Sequence, residues 1–208
     1  MMIKLVTILV LVCSCYGQSY PAHNDQDNIA KLASRDGWLW NTTTDCSPAC
    51  RTITWEKTAQ GGNDALKFTV SGPNLGYVAV AISTDEGMGP ADDTYICTSV
   101  SSTVVVHSGY LTAEVPPGIT TTLSSSDVTS SITNGVITCS FYRPMSVTKS
   151  VAGSDVTWNV NNQNFNVLYA EGAIYANRSI HYHSLRKHTH GAFNLLKPKG
   201  DAFLALCD

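Results

Sequence analysis

Short segments in which apolar and polar residues alternate follow one another along most of this chain. Residues 66–70 (Leu-Lys-Phe-Thr-Val) alternate strictly, and a period of two is typical of a β-strand with one buried face. Residues 77–82 form instead a continuous apolar run, which predicts a strand that is covered on both faces. Further strands are predicted at residues 94–97, 103–107, 136–142, 156–160 and 165–170.

Turn-forming residues separate these segments, and no segment shows a sustained helical stripe. Residues 71–74, the pair Asn134-Gly135 and residues 161–164 contain the residue types that turns require. Residues 120–133 are rich in Ser and Thr and are interpreted as a loop or one brief helical turn. Many short strands joined by turns predict an all-β fold, an antiparallel β-sandwich with almost no helix.

The N-terminus has the form of a secretion signal. A positive charge precedes an apolar run at residues 5–12, and small residues then offer a cleavage point, most simply after Gly17. The run is shorter than the roughly 20 apolar residues that a membrane helix needs. We expect residues 1–17 to be a signal peptide, residues 18–37 a loose polar segment and residues 38–208 one domain. The protein is thus expected to be secreted and extracellular, with no transmembrane segment in the mature chain.

Composition and motifs exclude several classes of function. The formal net charge is −3 and only 14% of the residues are charged, so no nucleic-acid partner is expected. Gly-x-Ser-x-Gly, His-Glu-x-x-His and phosphate-binding Gly-rich motifs are absent from the sequence, and we therefore expect that the protein is not an enzyme. Two glycosylation sequons, at Asn41 and Asn177, agree with the secretory route.

The chain has seven cysteines, two of them within the signal segment. Because secreted proteins fold in an oxidising compartment, we expect two disulfides drawn from Cys46, Cys50, Cys97 and Cys139. Cys207 is then free or bonded to another chain. Cys46 and Cys50 could also form half of a zinc site, but the sequence has no matching second Cys pair.

Met88 lies between two glycines in an acidic loop, where a thioether has little packing to do. The alternative is that Met88 caps the end of the sandwich. The neighbouring Asp85, Asp92 and Asp93 are interpreted first as solvating the loop and second as hard oxygen ligands for calcium.

Histidines near the C-terminus form two His-x-His pairs, His181/His183 and His188/His190. Residues two apart on a strand share a face, and imidazole suits copper and zinc. The alternative is a solvated surface cluster, and the basic residues 185–187 fit a solvated face equally well.

Three segments of the chain resemble the DOMON domain, and above all the extracellular DOMON domain of ferric-chelate-reductase-like proteins. The resemblance runs from about Trp38 to Leu206, with its segments in the family's order. These segments are residues 72–97 with Met88-Gly89 and Asp93-Thr94-Tyr95-Ile96-Cys97, residues 134–143 (Asn134-Gly135-Val136-Ile137-Thr138-Cys139-Ser140-Phe141-Tyr142-Arg143), and residues 167–184 with Ala170-Glu171-Gly172 and Ile180-His181-Tyr182-His183-Ser184.

The resemblance implies a β-sandwich that holds haem b between a loop Met and a His near the C-terminal end. Carried over to this sequence, Met88 and His183 would be the axial ligands, with His181 as the alternative to His183. Both ligands are expected at one end of the sandwich, facing one apolar slot. The aromatic residues that could wall the macrocycle are Tyr77, Tyr95, Phe165 and Tyr169.

The expected function is therefore that of a secreted cytochrome-type protein that transfers one electron at a time to a redox partner that the sequence does not identify. The alternative is a haem-free extracellular module that binds a sugar or a catechol-like ligand in the same pocket. A third hypothesis is that the His pairs bind copper or zinc. The ferric-reductase relatives continue into a membrane cytochrome, so reductase activity is not expected of this chain.

Overall fold

The computed structural model describes residues 37–41, 51–101, 103–189, 191–197 and 206–207, with side chains described in the three middle ranges. Within these ranges every regular element is a β-strand, which confirms the all-β prediction. The strands are β1 (Gly37–Asn41), β2 (Thr52–Gln60), β3 (Asn63–Pro73), β4 (Tyr77–Ser83), β5 (Asp92–Val100), β6 (Thr103–Leu111), β7 (Gly118–Thr122), β8 (Val128–Thr133), β9 (Val136–Pro144), β10 (Ser146–Val151), β11 (Ser154–Asn159), β12 (Asn166–Gly172), β13 (Leu185–Thr189) and β14 (Leu206–Cys207).

The described strands form two sheets and a separate hairpin. One sheet has the order β1-β2-β3-β9-β8, the other has the order β14-β13-β12-β4-β5-β6-β7, and β10 pairs with β11. Neighbouring strands run antiparallel throughout. The sandwich predicted from the alternating segments is therefore confirmed.

Alternation along the strands builds the core between the two sheets. In β3 the side chains of Leu66, Phe68 and Val70 are buried, and the residues between them are partly exposed. Stacked rings cross the core, because Phe141 lies 5.7 Å from Phe68 in its own sheet and 4.5 Å from Tyr95 in the opposite sheet, measured between ring centroids. Each such buried aromatic ring stabilises the fold by roughly 1.5–3 kcal/mol.

The loop prediction for residues 120–133 holds only for residues 123–127 and was wrong for the two ends of the segment. This segment contributes to β7 and β8, which lie at the edges of the two sheets. Most of their side chains are exposed, so no apolar alternation marks them in the sequence. The turn at Asn134-Gly135 is confirmed, because it joins β8 to β9 with Thr133 opposite Val136.

The acidic residues after Met88 do not solvate the loop as expected. Asp93 is fully buried and faces the core, where its two carboxylate oxygens bind the Arg143 guanidinium (2.7 Å) and the Lys149 ammonium. The carbonyl of Trp158 accepts a further bond from Arg143, and the carbonyl of Gly109 accepts one from Lys149. The charges are thus paired across the sandwich, which is what allows them to be buried.

We predict that Asp93→Asn lowers the free energy of unfolding by about 3–5 kcal/mol, because it leaves two buried cations without their counter-charge. Asp155→Asn is the matched control, since Asp155 is exposed on β11 and should change stability by less than about 0.5 kcal/mol. Urea denaturation measures both. Equal stability of the two variants would contradict the ion-pair account.

Cys97 and Cys139 lie side by side across the core. Both are buried free thiols, one on β5 and one on β9, and the two thiols are close enough to interact. Burial, together with the neighbouring Cys139 thiol, raises the pKa of Cys97 well above its usual value. Cys46, Cys50 and the side chain of Cys207 lie outside the described residues.

We predict that the disulfide set includes a Cys97–Cys139 bridge in protein folded under oxidising conditions, with two protons and two electrons passing to a small disulfide oxidant. Peptide mapping without reduction should recover the cross-linked pair, and reduction should lower stability by about 2–4 kcal/mol. Recovery of Cys97 bonded to any other cysteine, or of both as free thiols, would refute this pairing.

The structure also bears on the predicted glycosylation sites and on membrane-spanning segments. Asn177 is exposed, as the glycosylation prediction requires, and its Oδ1 accepts hydrogen bonds from the backbone and hydroxyl of Ser179. The side chain of Asn41 lies outside the described residues. Among the residues that the structure describes, no helix is long and apolar enough to cross a membrane.

Candidate functional site

A floor of small side chains lies on the outer face of the seven-stranded sheet. All residues of β4 are buried, which confirms that this strand is covered on both faces. Val78, Val80 and Ile82 point into the sandwich core, whereas Tyr77, Ala79 and Ala81 point outward, the two alanines beside their register partners on β12 and β5. Those partners are Ala170 and Ile96 for Ala79, and Leu168 and Thr94 for Ala81.

An open cavity of about 230 Å³ lies over this floor. Its walls are loops rather than a second sheet, and they bring charged groups to its rim. The wall and rim residues that matter below are Tyr77, Met88, Glu114, His183, Arg186 and His188.

Met88 stands at one end of the floor. Its half-buried side chain packs against Ala81, Leu111 and Leu168. The loop that carries it is held from below, because the carboxylate of Asp92 accepts a 2.6 Å hydrogen bond from the backbone N–H of Gly89. Met88 therefore reaches the cavity from a loop whose backbone is held in place at the next residue, Gly89.

Gly89 fits this position because it lacks a side chain. Its φ is +78°, and a Cβ there would lie 2.4 Å from the carbonyl carbon of Thr112. A non-glycine residue would meet both backbone strain and a clash. The Met88 loop consequently lies against the loop that follows β6.

His183 stands at the other end of the floor, next to Tyr77. A Cβ atom added at Gly172 would lie 3.2 Å from the Cα of His183 and 2.9 Å from the ring of Tyr77. Tyr77 and Ala81 are four residues apart on β4, which is about 13 Å along a strand. Met88 and His183 thus approach one cavity from opposite ends of its floor.

The Nε2 atom of His183 is buried and has no hydrogen-bond partner, a property that only Asp92 Oδ1 shares among the described side chains. Burial, and secondarily the positive charge of Arg186, lowers the pKa of His183, although a bond from the ring to its own backbone acts in the opposite direction. The lowered pKa favours a neutral ring near pH 7, and its Nε2 atom is buried. An unpaired buried group of this kind costs about 1–3 kcal/mol unless a ligand satisfies it.

The segment that carries His183 is anchored to the sheet. Tyr77 donates a 3.3 Å hydrogen bond to the carbonyl of His181, and the backbone N–H of Ser184 donates a 2.8 Å bond to the carbonyl of Glu171. Burial, and then the negative charge of Glu171, raises the pKa of Tyr77 to about 12, so its hydroxyl remains a donor at physiological pH.

Glu171 is fixed from the core side. Arg51 binds its carboxylate through two nitrogen atoms, at 2.6 and 2.8 Å, and Tyr169 donates a 2.7 Å bond to the same carboxylate. All three side chains are buried. The backbone that positions His183 therefore rests on a bidentate ion pair inside the sandwich. No motif pointed to this pair, because its members are 120 positions apart.

Several predicted positions differ in the structure. The cavity lies on the outer face of one sheet and not at the end of the sandwich. Tyr95, Phe165 and Tyr169 belong to the core between the sheets, whereas the side chain of Tyr77 lies on the outer face and lines the cavity. His181 is exposed, with its Nδ1 near the carbonyl of Tyr182.

The described histidines of the two His-x-His pairs, His181, His183 and His188, belong to no cluster of three or more metal-ligating side chains. Across the described residues, no group of three or more His, Cys, Asp or Glu side chains is placed to hold a metal ion. His188 faces the cavity and its Nδ1 lies 3.1 Å from the carbonyl of Thr189, while His190 lies outside the described residues.

Comparison with known families agrees with the β-sandwich fold. The model of the DOMON domain matches residues 50–172, which is more than half of the chain. The chain belongs to the DOMON family. The match contains Met88 and ends at Gly172, so His183 lies just beyond it.

Three relatives of this DOMON protein are named ferric-chelate reductase 1. The protein of Mus musculus is 30% identical over 64% of this chain and 21% of its own length. That of Homo sapiens is 32% identical over 39% and 14%, and that of Bos taurus is 30% identical over 59% and 20%. The chain thus spans about a fifth or less of these relatives. No solved structure matches it significantly.

We predict that Gly172→Ala destabilises the protein by about 1–3 kcal/mol, because the new methyl group would overlap the Tyr77 ring and press on the His183 backbone. Gly87→Ala is the control, since a Cβ at Gly87 meets only a side-chain oxygen at 3.5 Å. Thermal denaturation of both variants is the measurement. If Gly172→Ala is as stable as the control, the close contact with His183 does not exist.

Proposed function

We propose that this DOMON domain binds haem b through Met88 and His183 and serves in one-electron transfer. The observation that carries the proposal is the buried, unpartnered Nε2 of His183, a residue that lines the same cavity as Met88. A thioether and a neutral imidazole are a known pair of axial donors for haem iron. These two residues therefore fit the group that the family resemblance implies.

When bound, haem b supplies an iron that accepts and returns one electron, and Met ligation raises its reduction potential. The chain's residues provide the binding and the orientation. His183 presents a neutral nitrogen because burial and Arg186 disfavour its protonated form. The apolar floor excludes water from one edge of the site, and its Ala residues leave room for a flat ligand.

His183 is preferred over His181 on the basis of its surroundings. His181 is exposed, and its ring packs against Tyr175 with 4.4 Å between ring centroids. It is not part of the cavity wall, whereas His183 is. The described residues supply no third metal-ligating side chain that would support copper or zinc binding by the His pairs.

We propose that the protein carries electrons outside the cell and has no catalytic activity of its own. A secretion-type N-terminus, an exposed sequon at Asn177 and the adjoining thiols of Cys97 and Cys139 support the extracellular assignment. The relatives are reductases by name, but the chain covers only a fraction of their length. The redox partner is therefore proposed to be a separate domain or molecule.

We predict that the haem-loaded protein has a low-spin reduced spectrum that is lost in Met88→Leu and in His183→Ala, because each change removes one axial ligand. His181→Ala and Met145→Leu are the matched controls and should keep the spectrum, since Met145 is buried in the sandwich core. Visible absorption after reduction with dithionite is the measurement.

Two outcomes would change the assignment. Loss of the spectrum in His181→Ala with retention in His183→Ala would show that the wrong histidine was chosen. A wild-type protein that takes up no haem under any condition would refute the haem proposal, and the alternative of a haem-free module for a sugar or a catechol-like ligand would then replace it.

A further inference from the structure

A salt bridge extends over the cavity. Arg186 belongs to β13, where it lies opposite Ala170 of the floor, and Glu114 belongs to the loop after β6. Their side chains meet with Arg186 Nη1 3.4 Å from Glu114 Oε1. In the sheet, β12, β4 and β5 lie between β13 and β6, so at about 4.8 Å per strand the two strands are about 19 Å apart. The pair therefore crosses above the floor.

Both members of the pair belong to the site. Arg186 and Glu114 line the cavity that Met88 and His183 line. Each also acts on His183 electrostatically, the arginine by lowering its pKa and the glutamate by raising it. The carboxylate of Glu114 thus lies at the mouth of the cavity, paired with the guanidinium group of Arg186.

This ion pair is weak by comparison with the pair on the core side. The side chains of Arg186 and Glu114 are 52% and 65% exposed, whereas those of Arg51 and Glu171 are 6% and 1% exposed. The distance of 3.4 Å also exceeds the roughly 2.7–2.9 Å of a strong charge-assisted bond. An exposed pair of this kind contributes little to stability, so another carboxylate can readily take the place of Glu114.

We propose that Arg186 is the carboxylate-recognition residue of the cavity, and that Glu114 occupies it until the acidic side chain of a ligand takes over. The guanidinium group binds carboxylates in a bidentate manner. Resting on the proposed function, the ligand carboxylate is a propionate of the macrocycle. His188, two residues further along β13 and facing the same cavity, adds a second polar group on that side.

The test compares protohaem with its dimethyl ester, in which both carboxylates are masked. Haem-free protein is titrated with each compound, and the change in Soret absorbance gives the Kd. Wild-type protein should bind the free acid about tenfold more tightly than the ester, as expected for a hydrogen-bonded charge pair. Arg186→Gln should abolish this preference, because the guanidinium that distinguishes the free acid from the ester is gone.

Glu114→Gln should tighten binding of the free acid, because the competing carboxylate is gone, without changing binding of the ester. Arg178→Gln is the control, since Arg178 is exposed and lies outside the cavity wall. Circular dichroism confirms that each variant folds, which is expected because the changed side chains are exposed.

The outcomes separate the two proposals. Equal affinity of wild-type protein for haem and its ester, or an unchanged preference in Arg186→Gln, overturns the role of Arg186 while haem binding stands. If the wild-type protein binds neither compound, the proposed function fails, and the assignment of Arg186 fails with it.

Discussion

Burial of both faces of the central strands is the constraint on which the rest of this structure depends. In β4, β5 and β12 one set of alternating side chains fills the core between the sheets, and the other set, also largely apolar, faces outward. An outward face made of alanines, Ile96 and Leu168 must be covered, since it is too apolar to remain in water. Loops cover it without filling it, and the remaining space is the cavity. The site is thus a consequence of the apolar outer face that these central strands present.

The two proposed ligands depend on anchors that connect them to the sandwich. The segment of His183 is tied through Ser184 to the carbonyl of Glu171, whose carboxylate is held by Arg51. The loop of Met88 is tied through Gly89 to the buried Asp92. Rigid support of this kind positions the two ligand side chains before haem binds. Changes in the core at these anchors would therefore affect the cavity although they do not line it.

The sequence predicted the sandwich well, because alternation and turns are local signals. The continuous apolar run at residues 77–82 even indicated that the outer face of β4 is covered, but not that loops cover it. The edge strands β7 and β8 escaped prediction because exposed Ser and Thr residues carry no alternation. Arg186 was interpreted as part of a solvated face, because its pairing with Glu114 joins positions 72 apart. Contacts of this kind follow from the topology, which the pattern of residues does not specify.

X-ray absorption at the iron K-edge of the haem-loaded protein tests the central claim most directly. The account predicts a coordination shell of five nitrogen atoms and one sulfur atom, with the sulfur signal lost when Met88 is replaced by Leu. A shell of nitrogen and oxygen atoms alone, or a sulfur signal that persists without Met88, would show that Met88 and His183 do not hold an iron between them.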